Sequence, residues 1–332
     1  MRAVVAEGLT GPDALRLTDV DEPAGAHPKA EGERLLVEVH CAGIAFPDLL
    51  QSRGEYQISE PTPFVSGGEI AGVVVEAPQG SRFAPGDRVA GMTIWGAMAE
   101  YALAIPKYTV KLPDAMSFAE GAALYLNYAT AWFAVDRIAV REGETVLVQG
   151  AAGGVGTAAI DVLKTLRARS IAVVSSDEKE AVARSMGADE VVRSTGPWLE
   201  EVRSLTGGHG VEVVLDPVGG DRFTDSLRAL DVTGRLVVIG FTGGTIPTVK
   251  VNRLLLRNLT VMGIGMDPMD ARFPGTVQRI TDAVQDLAER GQVKPLIGRR
   301  VAFEDGAEAL RILDRREAVG KVVVDVRANG AG

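Results

Sequence analysis

Residues 144–164, ETVLVQGAAGGVGTAAIDVLK, constrain this chain more than any other stretch. Val146-Leu147-Val148 is an apolar run short enough for a buried parallel strand. Gly150, Gly153, Gly154 and Gly156 follow, and from Thr157 small and apolar residues take up a helical pattern. Strand, glycine turn and helix in that order form the context of a dinucleotide-binding fingerprint. Here it reads A-x-G-x-x-G, on Ala151, Gly153 and Gly156. A pyrophosphate is favoured at a helix N-terminus, where unpaired N–H groups and the helix dipole face an anion. Side chains at Gly153 and Gly154 would block that approach, and Gly156 lets the helix pack close to the strand. Ala152, Gly153, Gly154 and Val155 are therefore the expected pyrophosphate residues. A plain strand–turn–helix corner would use glycine only for positive φ, so the rest of the chain has to decide between the two readings.

The 332 residues are enough for about two domains. The net charge is −9 and no Lys/Arg-rich block occurs, which disfavours a nucleic-acid partner. The single cysteine, Cys41, cannot form an internal disulfide. MRAVVAEG has no signal-peptide apolar region, and no run approaches the ~18 apolar residues of a membrane span. A cytoplasmic protein that binds no membrane is the simplest expectation. His27, His40, His209 and Cys41 show no ligand spacing, and no metal site is expected from them.

Residues 1–115 read as mostly β, with strands at Arg2–Glu7, Leu15–Val20, Arg34–His40, Gly72–Glu76 and Asp87–Ala90, and one helical turn at Asp48–Ser52. Recurrent Pro and Gly between short strands suggest a small barrel or sandwich. Ser117 and Glu120 fit a capping box ahead of a helix over Ala122–Val135. From Glu144 the pattern alternates. Strands are expected at Thr145–Gln149, Ser170–Ser175, Glu190–Arg193, Val211–Asp216, Arg235–Ile239 and Leu259–Ile264. Helices are expected at Val155–Leu166, Lys179–Met186, Pro197–Thr206, Asp221–Ala229 and Val251–Leu256. This is the rhythm of a doubly wound parallel (Rossmann) sheet. Phe273–Arg290 carries apolar residues at helical spacing, and strands at Arg299–Phe303 and Lys321–Val326 flank a last helix, Ala307–Leu313.

The second strand of that sheet ends at Ser175-Ser176, where NAD-preferring sites usually place Asp or Glu. Ser175, Lys179 and Arg193 would instead suit a 2′-phosphate, which favours NADPH. Asp177 argues the other way if its carboxylate faces the ribose.

Together these pieces resemble the zinc-free, NADPH:quinone oxidoreductase branch of the medium-chain dehydrogenase/reductases. The matching segments are GIAFPDLLQSRGEYQ (43–57), PFVSGGEIAGVV (63–74), GDRVAGMTIWGAMAEYA (86–102), LNYATAW (126–132), GAAGGVG (150–156), GADEVV (187–192), LDPVGG (215–220), GRLVVIGF (234–241) and GKVVV (320–324). They span nearly the whole chain. The resemblance implies an α/β protein with a GroES-like, mostly-β catalytic domain built from 1–122 and 266–332, and a Rossmann cofactor domain at 123–265. It also implies a homodimer joined edge to edge through the strand at Leu259–Ile264.

Departures from the family are informative. Zinc-dependent relatives carry ligands at positions that match Ala45, Gly68 and Leu126 here, and the cysteine-rich structural-zinc lobe is missing between Arg88 and Tyr101. Many quinone reductases have Asn where this chain has Ala45, and a tyrosine near Arg193-Ser194. Glu69 is expected to be a structural acid paired with a neighbour, and Asp48 a turn acid.

By resemblance, Tyr56 faces the acceptor, Thr130 contacts the nicotinamide ring, and Asn127 bonds ribose or substrate. Phe241 packs on the nicotinamide ribose, and the backbone around Ile264 holds the carboxamide. The implied reaction is hydride transfer from NADPH to a small-molecule quinone or conjugated enone, without metal or flavin, since the cofactor carries the chemistry. An enoyl-thioester reductase is the alternative enzyme. A cofactor-binding structural protein with little catalysis is the alternative of another class.

Overall fold

The structure is a computed structural model that describes residues 1–58 and 60–327. The chain divides into two units. One comprises residues 1–127 and the chain from Val277 onward; the other is Tyr128–Thr276.

In the first unit, β1 (Arg2–Ala6) pairs antiparallel with β2 (Leu15–Asp19) and with β4 (Phe64–Val65). A larger sheet is centred on β3 (Leu35–Ile44), flanked by β5 (Glu69–Glu76), then β6 (Arg88–Met92) and β8 (Thr109–Lys111); β7 (Tyr101–Ala104) also pairs with β3. The strand expected to end at His40 runs on to Ile44, because Cys41, Ala42 and Ile44 are buried in a central strand. Two register shifts against β5 let it bend. Helix α1 (Phe46–Ser52) follows directly. The expected capping box is present: the Ser117 hydroxyl accepts the Glu120 N–H at 3.2 Å, and Glu120 accepts the Ser117 N–H at 2.8 Å. It starts only a short α2 (Phe118–Gly121), and the longer helix expected over Ala122–Val135 is α3 (Tyr125–Arg137).

The second unit is a six-stranded sheet, parallel throughout. Its strands are β9 (Thr145–Val148), β10 (Arg169–Val174), β11 (Glu190–Arg193), β12 (Val211–Asp216), β13 (Leu230–Val238) and β14 (Thr260–Gly263), in the order β11-β10-β9-β12-β13-β14. The connecting helices are α4 (Gly154–Thr165), α5 (Asp177–Ser185), α6 (Trp198–Leu205), α7 (Phe223–Ala229) and α8 (Asn252–Arg257). Leu147, Ile171, Val214, Trp198, Phe223 and Leu236 share its core. From β9 the chain winds outward to β11, then returns to β12 on the other side of β9. The carboxyl ends of β9 and β12 therefore form the topological switch point, where open α/β sheets bind ligands.

After β14 comes α9 (Met266–Arg272), which no apolar period announces. Pro274 and Gly275 (φ +91°) separate it from α10 (Thr276–Glu289), so the helix expected from Phe273 starts later. Val277, Ile280, Val284 and Leu287 are buried, and Thr281 of α10 bonds Tyr125 at 2.6 Å. From Val277 the chain is back in the first unit. β15 (Ile297–Ala302), α11 (Gly306–Asp314) and β16 (Lys321–Asp325) follow, with β16 antiparallel to β3. The mostly-β unit is thus built from both ends of the sequence. Among the described residues no helix is long and apolar enough to cross a membrane.

Candidate active site

β9 is buried, and its exit turn runs Gln149, Gly150 (φ +58°), Ala151, Ala152, Gly153. Gly153 is the N-cap of α4, in extended backbone. Two glycines in this turn are required for different reasons. A Cβ at Gly156 would lie 2.3 Å from the Gly150 carbonyl oxygen and 2.6 Å from the Ala151 Cα, so only glycine lets α4 sit against the turn backbone. A Cβ at Gly153 would meet nothing in the protein closer than 3.4 Å. Packing does not demand glycine at 153, and its backbone is left open to the approach of an outside group. The first-turn N–H groups of Gly154, Val155 and Gly156 have no carbonyl one helical turn back to bond. The Thr157 hydroxyl donates to the Gly153 and Gly154 carbonyls, each at 3.0 Å, and steadies this turn. Neutral or alkyl surroundings, aligned N–H donors and an open glycine suit a pyrophosphate.

At the β10 end, Ser175 is exposed, and Ser176 caps α5 by accepting the Lys179 N–H at 3.3 Å. Arg193 closes β11. Its guanidinium donates to Glu180 at 2.8 Å and is also paired with Asp177. Arg193, then Arg184, hold the Glu180 carboxyl below the usual range. Asp177, which sequence alone leaves facing either way, is turned onto Arg193. The guanidinium is therefore an occupied group between two carboxylates.

At the carboxyl ends of β12 and β13, the Asp216 Oδ1 accepts the N–H groups of Val218 and Gly219 at 2.9 and 2.8 Å. Burial pushes the Asp216 carboxyl above its ordinary range, and its Oδ2 is buried without a hydrogen-bond partner. The Gln149 Oε1 at the end of β9 is likewise unpartnered, while its amide donates to Ser226 at 3.1 Å. Sequence reasoning did not assign Gln149 or Asp216 to the site; the signal was their place at the end of the two switch-point strands. Phe241 lies beside Gly219, where a Cβ would be 2.9 Å from its ring. Ile264 is half-buried just past β14.

Asn127 is buried and Thr130 half-buried, three residues apart on α3 and so on one face of it. Tyr56 is half-buried in the turn after α1. The second unit thus gathers Ala152–Val155, Phe241 and Ile264 at the carboxyl edge of one sheet, with Ser175, Lys179 and Arg193 at the ends of the neighbouring strands. Tyr56 and Asn127 belong to the first unit.

Comparison with known proteins agrees with this architecture. The family described as alcohol dehydrogenase GroES-like domain matches residues 31–114, and that described as zinc-binding dehydrogenase matches residues 154–282. A quinone oxidoreductase-like protein 2 from Bos taurus is 40% identical over 296 residues, covering 88% of this chain and 84% of its own. The chain belongs to the quinone oxidoreductase branch of the medium-chain dehydrogenase/reductase family. A mycobacterial member solved in complex with NADPH superposes with a TM-score of 0.87 at 31% identity, covering 98% of this chain and 99% of that one. The quinone oxidoreductase of Thermus thermophilus, also solved with NADPH, gives 0.82 at 33% identity, over 98% and 100% of the two chains.

Ala45, Gly68 and Leu126 stand at the positions that match the metal ligands of zinc-dependent relatives. The structure brings these three positions around two carboxyl groups. The Ala45 N–H donates to Asp48 at 2.6 Å, a Cβ on Gly68 would lie 3.1 Å from the other Asp48 oxygen, and the Leu126 N–H donates to Glu69 at 2.9 Å. The second Glu69 oxygen is 2.5 Å from the ammonium of Lys321. A methyl group, a hydrogen and an isobutyl group offer no donor to a metal, and the ammonium already occupies Glu69. A divalent cation does not fit. Among the described residues no group of three or more His, Cys, Asp or Glu is placed to hold one.

Proposed function

We propose that this protein is a reductase that passes a hydride from NADPH to a quinone or conjugated enone, using neither metal nor flavin. The observation that carries this reading is the glycine at position 153, which lies open at the switch point although the fold itself would accept a side chain there. The quinone oxidoreductase-like relatives, and neighbours solved with NADPH, support the cofactor and the acceptor class.

NADPH, when bound, supplies the hydride. The protein binds and orients. Ala152, Gly153, Gly154 and Val155 hold the pyrophosphate through first-turn N–H groups. Ser175, Lys179 and Arg193 hold the 2′-phosphate, which takes the place of the exposed Asp177 carboxylate on the Arg193 guanidinium while Glu180 keeps its own bond. Phe241, Ile264 and Thr130 orient the nicotinamide end. Asn127 bonds ribose or acceptor, and the Tyr56 hydroxyl bonds the acceptor carbonyl. A homodimer through the edge strand β14 is part of the same proposal. Leu255 and Leu256 of the neighbouring α8 are 79% and 75% exposed, an apolar surface that a second copy would cover.

The test is NADPH and NADH oxidation by the purified protein against a panel of quinones, enones and enoyl thioesters, with binding of each cofactor measured alongside. Turnover of quinones or enones with NADPH bound more tightly supports the reading. Preference for enoyl thioesters would replace the substrate class. Tighter NADH binding would remove the roles of Ser175, Lys179 and Arg193. Cofactor binding without any turnover would favour a structural role.

A further inference from the structure

The Glu69–Lys321 pair is the most deeply buried ion pair among the described residues: the two side chains are 0% and 2% exposed. They lie 252 positions apart in sequence, and strand pairing brings them together. Glu69 opens β5 and is opposite Gly43 of β3, while β16, which Lys321 opens, pairs with the other edge of β3 through Val322 and Ile44. Gly43 is shaped for the contact. A Cβ there would fall 2.9 Å from the Lys321 Cε and 1.9 Å from the Ala122 carbonyl oxygen. The lysine stem and the backbone leading into α3 therefore share the space that glycine leaves.

Glu69 spends one oxygen on Lys321 and the other on the N–H of Leu126, the second residue of α3. That N–H is one of the helix's orphan donors, and a carboxylate is favoured at this end of the dipole. The next residue is Asn127. Its own side-chain bond, from Nδ2 to the Ala123 carbonyl, is 3.4 Å long, near the limit for a hydrogen bond. The orientation of the Asn127 amide is thus set mainly by the first turn of α3, and that turn is held by Glu69.

We propose that Lys321 and Glu69 are positioning residues for Asn127: the buried ammonium fixes the carboxylate, and the carboxylate fixes the helical turn that aims the amide. This rests on the reductase reading in which Asn127 touches ribose or acceptor. It also gives a physical role to the place where zinc-dependent relatives hold a metal. A cation is still present beside Glu69, but it is covalently part of the chain and acts on the helix rather than on the substrate.

The experiment compares Lys321→Met, Lys321→Arg, Glu69→Gln and the double variant Glu69→Gln/Lys321→Met with wild type. The single truncations leave a buried charge unpaired, so the double variant, neutral on both sides, keeps the test valid if they fail to fold. Expected in the folded double variant is a fall in kcat of about 10- to 100-fold with the KM for NADPH changed less than about threefold, and partial recovery in Lys321→Arg. In NMR spectra of selectively labelled protein, the Leu126 backbone amide and the Asn127 side-chain amide should both shift. A folded double variant with wild-type kcat, or with the Asn127 amide unmoved, overturns the proposal. If wild type turns over no acceptor, the reductase reading fails, and the Asn127 amide alone then decides: movement supports positioning and its absence refutes it.

Discussion

Substituting Asp48 by Asn should change how the stability of the first unit depends on pH. Asp48 is 3% exposed. Burial pushes its carboxyl up from the ordinary 3.8 to about 7, against the opposing pull of the Ala45 N–H and the Lys321 ammonium, and with a push from Glu69. The folded state thus keeps this proton to a higher pH than the unfolded chain does. Between the two values the folded state binds more protons, so stability falls as pH rises through that window. The contribution is fully present below the unfolded value and is lost by the time pH exceeds about 7. At 1.36 kcal/mol per pH unit, the span corresponds to ~4 kcal/mol. Asparagine cannot titrate, so Asp48→Asn should remove that slope: it costs some stability at low pH, through the imperfect match of its amide to the Ala45 and Gly68 N–H groups, and the deficit relative to wild type shrinks or reverses as pH rises past about 7. The assay is urea unfolding from about pH 4 to about pH 8, in a background with Trp132 and Trp198 replaced by Phe. Trp95 then reports on the first unit alone. Other carboxyls, such as Glu100 and Asp87, are held below their usual range and lose stability in the opposite direction, on acidification. The diagnostic is therefore the difference between wild type and variant. Parallel pH profiles for the two proteins would refute the reasoning.

Four further outcomes follow from the geometry. Gly153→Ala should fold normally and weaken NADPH binding at least about tenfold, ~1.4 kcal/mol, whereas Gly156→Ala should destabilise the second unit by ~1–3 kcal/mol or more because its Cβ meets backbone atoms; thermal melts and cofactor fluorescence separate the two. Arg193→Ala should weaken NADPH binding about tenfold and leave NADH unchanged, as calorimetry with both cofactors will show. Tyr56→Phe should lower turnover about 10- to 100-fold with little change in NADPH affinity, read from kcat and a separate binding titration. Leu255→Asp/Leu256→Asp should shift the protein from dimer to monomer, measured by light scattering after gel filtration.

Much of the second unit was legible in the sequence for a simple reason. A buried parallel strand is a continuous apolar run, and β9, β10 and β12 fall within a residue of where such runs place them, whereas β13 begins at Leu230, ahead of its apolar run. The first unit was harder. β7 and β8 are four and three residues long, too short for any alternation to show, and pairing with β3 and β6 defines them. α9 contains Pro268 and no apolar period. Glu69 could be read as an acid with a partner, but not as the partner of Lys321.

The sequence by itself determined the glycine turn, the alternation of strand and helix, and the loss of ligand side chains at Ala45, Gly68 and Leu126, because each depends on residue type at a local spacing. Only the tertiary structure decided that Asp177 and Glu180 claim Arg193, that Gly43 makes way for the Lys321 stem, and that an ammonium from the far end of the chain neutralises Glu69 at the start of α3. Those are contacts between residues that share no segment. Their energies come from burial and charge in three dimensions, which no local pattern records.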